Sequence, residues 1–230
     1  MKPEFYRNLS DSPLFKGQTA DDIRDLLSRV LIRVKTFKRG NTLAFRGDPC
    51  LALMIILEGV VRGEMLDWKG KIIEIEMISA PRPLAPAFLF GKNNRFPVDA
   101  VAVDEVTILW IPKNSLLSLF QISPGLLSNY LDTISSRTQF LSEKIWFMSF
   151  KTIRDKIASY VLSLSGPDEN PLILPKNQRE LSEFFGVTRP ALSRIFAALK
   201  RDNILEYKGK KITIIDREKL IGILSDTPEE

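Results

Sequence analysis

The sequence predicts an α+β chain: an antiparallel β-roll, then one long helix, then a small helical domain closed by a hairpin. Three observations predict it. Residues 30–112 are short apolar or alternating runs broken by Gly40, Gly47, Gly59, Gly63 and Gly70 and by Pro81, Pro83 and Pro86, which is the pattern of strands and turns. Residues 127–148 carry apolar side chains at heptad spacing, the pattern of a helix with a narrow seam. Residues 177–201 hold two capped helical patterns separated by Gly186.

Composition bounds the chemistry. The chain has 230 residues, 44% apolar and 27% charged, enough for one large domain or two of ordinary size. The apolar run 51–57 falls far short of the roughly 20 residues that cross a bilayer. The start MKPEFYRNLS lacks the basic and apolar regions of a secretory leader, so a cytoplasmic protein without a membrane partner is expected. A single cysteine, Cys50, excludes an internal disulfide framework and any site built from several thiolates. With no histidine, Ser/His and Cys/His catalytic pairs, histidine-ligated haem and the usual zinc-enzyme sites are also excluded. No metal or cofactor is therefore expected, and an enzyme is the weakest of three function classes. Its best acids, Glu74 and Glu76, lie two apart on one strand face, where such pairs usually face water, and no nucleophile accompanies them. Between Lys176 and Lys211 lie nine basic and four acidic residues, so this segment holds the whole net charge of +5 and is the candidate for a polyanion contact.

In chain order, Thr19 and Asp21 start a short helix that runs to about Val30. The clearest strands are 54–57, 71–78, 98–103 and 107–111; in the second of these Glu74 and Glu76 alternate with Ile73, Ile75 and Met77. Ser123 caps the long helix, with Pro124 at its first position. Its stripe is Leu127, Leu131, Ile134, Thr138, Leu141, Ile145 and Met148, at alternating steps of four and three. A stripe this narrow favours a symmetric two-helix dimer over packing on the chain's own roll. The heptad stops near Ser149, and Ile153, Ile157, Tyr160, Val161 and Leu164 begin another helix that ends at Gly166 and Pro167. The expected domains are a roll over 1–122, a dimerisation helix over 123–149 and a nucleic-acid-binding domain over 150–230.

In that last domain Asn177 and Glu180 form a capping box, and Leu181, Phe184 and Phe185 supply the buried face of a helix ending at Gly186. Thr188 caps the next helix, with Arg189 and Pro190 in its first turn and Leu192, Ile195, Phe196 and Leu199 facing inward. Arg189, Ser193 and Arg194 then share the outer face. Helix, glycine turn and a second helix with basic residues in its first two turns is the helix-turn-helix pattern, whose second helix reads base edges in the major groove. Lys208, Gly209 and Lys210 form the tip of a hairpin wing whose lysines suit phosphate.

The stretch NQRELSEFFGVTRPALSRIFAALKRDNIL, together with RGNTLAFRGDPCLALMIILEGVV and SPLF at 12–15, closely resembles the Crp/Fnr family of bacterial transcription regulators, and the resemblance covers nearly the whole chain. It implies a cyclic-nucleotide-binding-like β-roll (a jelly roll), a dimerisation helix and a C-terminal winged helix-turn-helix. Members that bind cyclic AMP carry a cassette resembling F-G-E followed by P-R-S-A. Aligned back from Ile111 and Pro112, this chain has Leu84, Ala85 and Pro86 at the first part and Phe96, Pro97, Val98 and Asp99 at the second. The ribose acceptor and the phosphate-pairing arginine are both gone, and Asp99 repels an anion. Leu141 stands where a threonine commonly meets the purine, with Ser142 beside it; Arg82 and Arg95 are the remaining candidates for an anion partner. The N-terminal cysteine cluster of the iron–sulfur members is absent. Phe88, Phe90, Phe96, Leu141 and Trp146 line an altered effector cavity or fill it as core, and Cys50 is a redox-sensitive thiol, a link between two protomers, or inert.

For DNA, the resemblance assigns contacts to Arg189 and Arg194, the latter suited to bidentate guanine recognition, and Ser193 matches the oxygen-sensing branch. Pro190 replaces the usual glutamate, which points to half-sites unlike the common ones. Thr188, Lys208 and Lys210 complete the set. The expected function is a homodimeric regulator that reads a palindromic operator in double-stranded DNA, with an unidentified small-molecule effector or none; a ligand-binding or scaffold module on the same roll is the alternative. RNA polymerase enters as a partner through the resemblance alone, since no motif marks the contact.

Overall fold

The structure, a computed structural model, describes residues 2–150, 152–166 and 170–225. It forms two compact units that divide between Arg137 and Thr138.

The first unit opens with α1 (Pro3–Ser10), a 3-10 turn at Pro13–Phe15 and α2 (Ala20–Ser28). Proline at the start of α1 costs no hydrogen bond, and Phe5 and Leu9 bury its inner face; this helix was not legible as one. In α2 the cap is Thr19, as the sequence indicates, but its reciprocal partner is Asp22, whose carboxylate accepts from the Thr19 amide at 3.0 Å.

Eight strands follow: β1 (Arg33–Phe37), β2 (Thr42–Ala44), β3 (Ala52–Glu58), β4 (Val60–Leu66), β5 (Ile72–Ser79), β6 (Pro83–Leu84), β7 (Asp99–Ala102) and β8 (Val106–Pro112). They build two four-stranded antiparallel sheets, β1-β8-β3-β6 and β2-β7-β4-β5. β3 is buried along its length up to Glu58. α1 and α3 (Lys113–Ile122) also pack on it, so it has no solvent face and shows a continuous apolar run where an edge strand would alternate.

β5 is the edge of its sheet and leaves Ile73, Ile75 and Met77 exposed. Glu76 on the opposite face is partly buried, with Arg82 at 3.5 Å and Arg137 at 3.2 Å. Alternation marks this strand correctly; ion pairing half-buries Glu76, while Glu74 on the same face stays exposed.

α4 (Pro124–Ser149) starts on Ser123, whose hydroxyl oxygen accepts from the Leu126 amide at 3.3 Å. Leu126 and Tyr130 join the roll's core and Ile134 packs against it. The Asn129 amide donates to the carbonyls of Leu14 and Lys16 at 3.1 and 2.9 Å.

The second unit contains the end of α4, then α5 (Ile153–Leu164), β9 (Leu172–Ile173), α6 (Gln178–Phe185), α7 (Arg189–Arg201), β10 (Leu205–Lys208), β11 (Lys211–Ile214) and α8 (Arg217–Ser225). Pro167, read from the sequence at the end of α5, lies outside the described residues. α5 has a full Thr152/Asp155 capping box. Phe147 of α4 is buried among Tyr160, Phe184 and Phe185, with ring centroids 5.2 to 5.6 Å away. Such a cluster gains stabilisation from ring geometry beyond its area. Its cost falls on Tyr160, whose buried hydroxyl has no partner among the described residues. Burial, with help from Glu143 and Glu180, pushes that phenol up to about 12.

Two predictions follow from the roll. Gly59 turns the chain from β3 to β4 at φ +87°, and a Cβ there would run into the Glu105 carbonyl and the Asp104 carboxylate that accepts from the Val60 amide at 2.8 Å. Gly59→Ala should lower unfolding stability by more than about 1 kcal/mol in urea titration, combining backbone strain with the clash. Cys50 is buried, and desolvation raises its pKa above the usual thiol value. It should therefore react with a thiol reagent at pH 8 far more slowly in the native protein than in urea; equal rates would restore the redox-sensitive reading.

Candidate nucleic-acid interface

The site is built outward from the α6–α7 core. Asn177 Oδ1 accepts from the Glu180 amide at 3.0 Å, and Glu180 Oε2 accepts from the Asn177 amide at 2.7 Å, which fixes the start of α6. Gly186 ends it at φ +67°, a left-handed conformation that strains other residues, and the Val187 amide closes on the Ser182 carbonyl at 3.0 Å. Thr188 then caps α7 through the Ala191 amide at 3.4 Å. Leu192, Phe196 and Leu199 bury the inner face of α7, so Arg189, Pro190 and Arg194 stand exposed on the other side and Ser193 is half-buried beside them.

Electrostatics separates these arginines from Arg179 and Lys200, which are paired. Every acid in the basic segment is already engaged. Glu180 closes the capping box, Glu183 pairs with Arg179 at 3.1 Å, Asp202 with Arg154 at 3.3 Å, and Glu206 with Lys200 at 3.0 Å. Arg189 and Arg194 have no carboxylate among the described residues. Two exposed guanidiniums in the first two turns of a helix, without counter-charge, form a positive surface with the fork geometry that guanine and phosphate accept.

The wing pairs β10 with β11 in register, and Gly209 at φ +64° makes the tight turn. β9 adds a third strand, so the order is β10-β11-β9. Lys208 and Lys211 are exposed. Lys210, equally exposed, donates to the Pro175 carbonyl at 2.9 Å. Sequence reasoning also missed Gln178, the first residue of α6, whose Oε1 accepts from the Ser193 hydroxyl at 3.2 Å. Those residues are fifteen apart in the chain, and no periodicity signals their meeting.

The residues read as an effector pocket stand in different surroundings. Phe96 is buried in the roll's core, Phe88 is 37% exposed, and Arg82 is engaged by Glu76. Arg95 donates to the Gly47 carbonyl at 2.6 Å, and Asp99 accepts from the Arg46 amide at 2.6 Å. Tyr130 donates to the Pro86 carbonyl at 2.7 Å. Leu141 and Ser142, in the second unit, are both exposed. Of the seam residues, Leu127, Leu131, Thr138, Leu141, Ile145 and Met148 are exposed and Ile134 is half-buried. No helix among the described residues is long and apolar enough to cross a membrane.

Comparison with known proteins follows the same division. Residues 34–123 match the cyclic nucleotide-binding domain and residues 155–223 the Crp-like helix-turn-helix domain. The transcriptional activator protein FnrA of Stutzerimonas stutzeri is 25% identical over 199 residues, covering 84% of this chain and 80% of that protein. The global nitrogen regulator of a Synechocystis strain is 25% identical over 189 residues, covering 79% and 84%. A transcriptional regulator of Thermotoga maritima, solved by crystallography, is 33% identical with a TM-score of 0.52, covering 56% of this chain and 98% of that one. The catabolite activator protein of Thermus thermophilus shares the fold at 20% identity, with a TM-score of 0.53 over 94% of this chain. These relatives are regulators, not enzymes.

Proposed function

This chain belongs to the Crp/Fnr family of DNA-binding transcription regulators, and from that premise we propose that it acts as a homodimer on a palindromic operator, with α7 as the recognition helix and an effector other than cyclic AMP, or none. The observation that carries the reading is the pair of exposed guanidiniums on α7, Arg189 and Arg194, left without carboxylates while the segment's acids are engaged elsewhere. A scaffold module built on the same roll would have no use for that arrangement.

The dimer reading rests on the exposed seam of α4. Ile145 is 69% exposed, Met148 58% and Leu131 52%, and an apolar stripe of this length on a soluble helix calls for a partner. Two copies joined there place two recognition helices about 34 Å apart, one turn of duplex. Lys208 and Lys211 of the wing are suited to flanking phosphates. Pro190 offers no side-chain hydrogen bond, so its place on the groove fits a thymine methyl. The roll argues against cyclic AMP because the positions that would take ribose and phosphate are occupied by Pro86 and Pro97, with the Pro86 carbonyl already accepting from Tyr130. A cytoplasmic setting and contact with RNA polymerase complete the proposal.

The test is selection of bound sequences from random duplex DNA by the purified protein without added ligand. An enriched palindrome is expected. Arg194→Ala should cost roughly 1–3 kcal/mol and relax one base pair of the half-site, whereas Lys208→Ala should weaken all sequences alike and flatten the salt dependence. An unchanged profile for Arg194→Ala would overturn the assignment of α7. Leu131→Asp combined with Ile145→Asp should give a monomer by sedimentation and abolish palindrome binding.

A further inference from the structure

Ser193 is unusual among the helical hydroxyls of this protein. Ser118 and Thr133 donate to the carbonyl four residues back, and Ser163 and Ser182 to the one three back, the ordinary resting place for a hydroxyl proton on a helix. Ser193 gives its proton to a side chain on another helix, Gln178 Oε1, at 3.2 Å. Both residues are half-buried, which limits competition from water. The acceptor is also held in place: Gln178 follows the Asn177 cap directly, and α6 is fixed against α7 through Leu181, Phe185, Leu192 and Phe196 of one core.

We propose that Gln178 is a specificity-determining residue that acts through Ser193: by taking the hydroxyl proton, it leaves only lone pairs facing the DNA, so Ser193 reads as an acceptor. This rests on α7 being the recognition helix. A serine hydroxyl has one proton and two lone pairs, and can ordinarily turn to suit either a donor or an acceptor. Fixed as an acceptor, it favours the base groups that donate in the major groove, adenine N6 and cytosine N4, over the acceptor oxygens of guanine and thymine. Gln178 need touch no base.

The experiment measures competitive binding of the full-length protein to a panel of duplexes varied one base pair at a time across the selected half-site. Ser193→Ala first identifies the position at which discrimination flattens. Gln178→Glu keeps an acceptor opposite Ser193 and should preserve the adenine or cytosine preference there, although its charge weakens all sequences together. Gln178→Lys can only donate; it should strengthen all sequences together and, at that one position, erase or reverse the preference by about tenfold. Uniform charge effects and a position-specific change are thus read separately. The inference is overturned if Gln178→Lys keeps the wild-type ranking at that position, or if Ser193→Ala flattens none. Arg194→Ala in the same panel separates the two claims. If it alone alters the profile, the recognition helix stands and the polarity control falls; if none of the variants does, both fall.

Discussion

The rest of the structure depends on the apolar load of α4. A helix of 26 residues presents apolar side chains on more than one face, and no single core takes them all. Leu126 and Tyr130 are spent in the roll, and Phe147 is spent in the core of the second unit. What remains on the outward stripe is Leu127, Leu131, Leu141, Ile145 and Met148, which neither core covers. An exposed stripe of this kind is a standing free-energy cost in water, relieved when a like stripe meets it. The helix therefore contributes to the roll's core, to the aromatic core of the second unit and to an exposed apolar stripe, and each rests on different residues of the same 3.6-residue repeat.

The polar loops of the roll are paired within the chain. Where family members that bind cyclic AMP use a carboxylate and an arginine, this chain places Pro86 and Pro97, and the neighbouring polar groups are satisfied internally. Tyr130 bonds the Pro86 carbonyl, Arg95 bonds the Gly47 carbonyl, and Asp99 holds the Arg46 amide. Glu76 sits between Arg82 and Arg137, so Arg82, one of the two arginines read as an anion partner, already has a carboxylate. Such internal pairing stabilises the loops without a ligand, since a buried or half-buried polar group left unmatched costs more than a matched one gains. The architecture depends on β3 and the apolar core around it.

The parts legible in the sequence are those fixed by short-range rules. Asn177 and Glu180, Gly186, Thr188 and the steps of the heptad each act within a turn or two, and the structure has them where the pattern puts them. The Thr152/Asp155 box follows the same rule and was open to the same reading. Edge elements resisted it. β1 is exposed along almost its whole length and so shows no alternation, while α1 and α3 are short and defined by what they cover. In β5 the alternation gave the strand but not its orientation, because Glu76 is drawn inward by arginines that are close to it only in the fold. The bond between Gln178 and Ser193 belongs to the same class: the tertiary structure creates it.

Charge on the helix-turn-helix illustrates how the two levels combine. Sequence counting puts an excess of five positive charges in this segment, but an excess says nothing about where the field is strong. The ion pairs to Arg179, Lys200 and Arg154 neutralise positions away from the exposed start of α7, and the bond from Lys210 to Pro175 ties one wing ammonium down. On the helix-turn-helix the cations without a carboxylate among the described residues include Arg189, Arg194, Arg201, Lys208 and Lys211, and phosphate binding by a set of that size weakens steeply with salt. Two protomers joined through α4 double that number and make the second half-site contact intramolecular, so affinity rises far more than the contact count does. By linkage, an operator that engages both helices must in turn favour the paired state of the seam. On the proposed reading, pairing and DNA reading are one equilibrium, so a signal that alters the register of α4 against its partner would change operator affinity without touching any residue on α7.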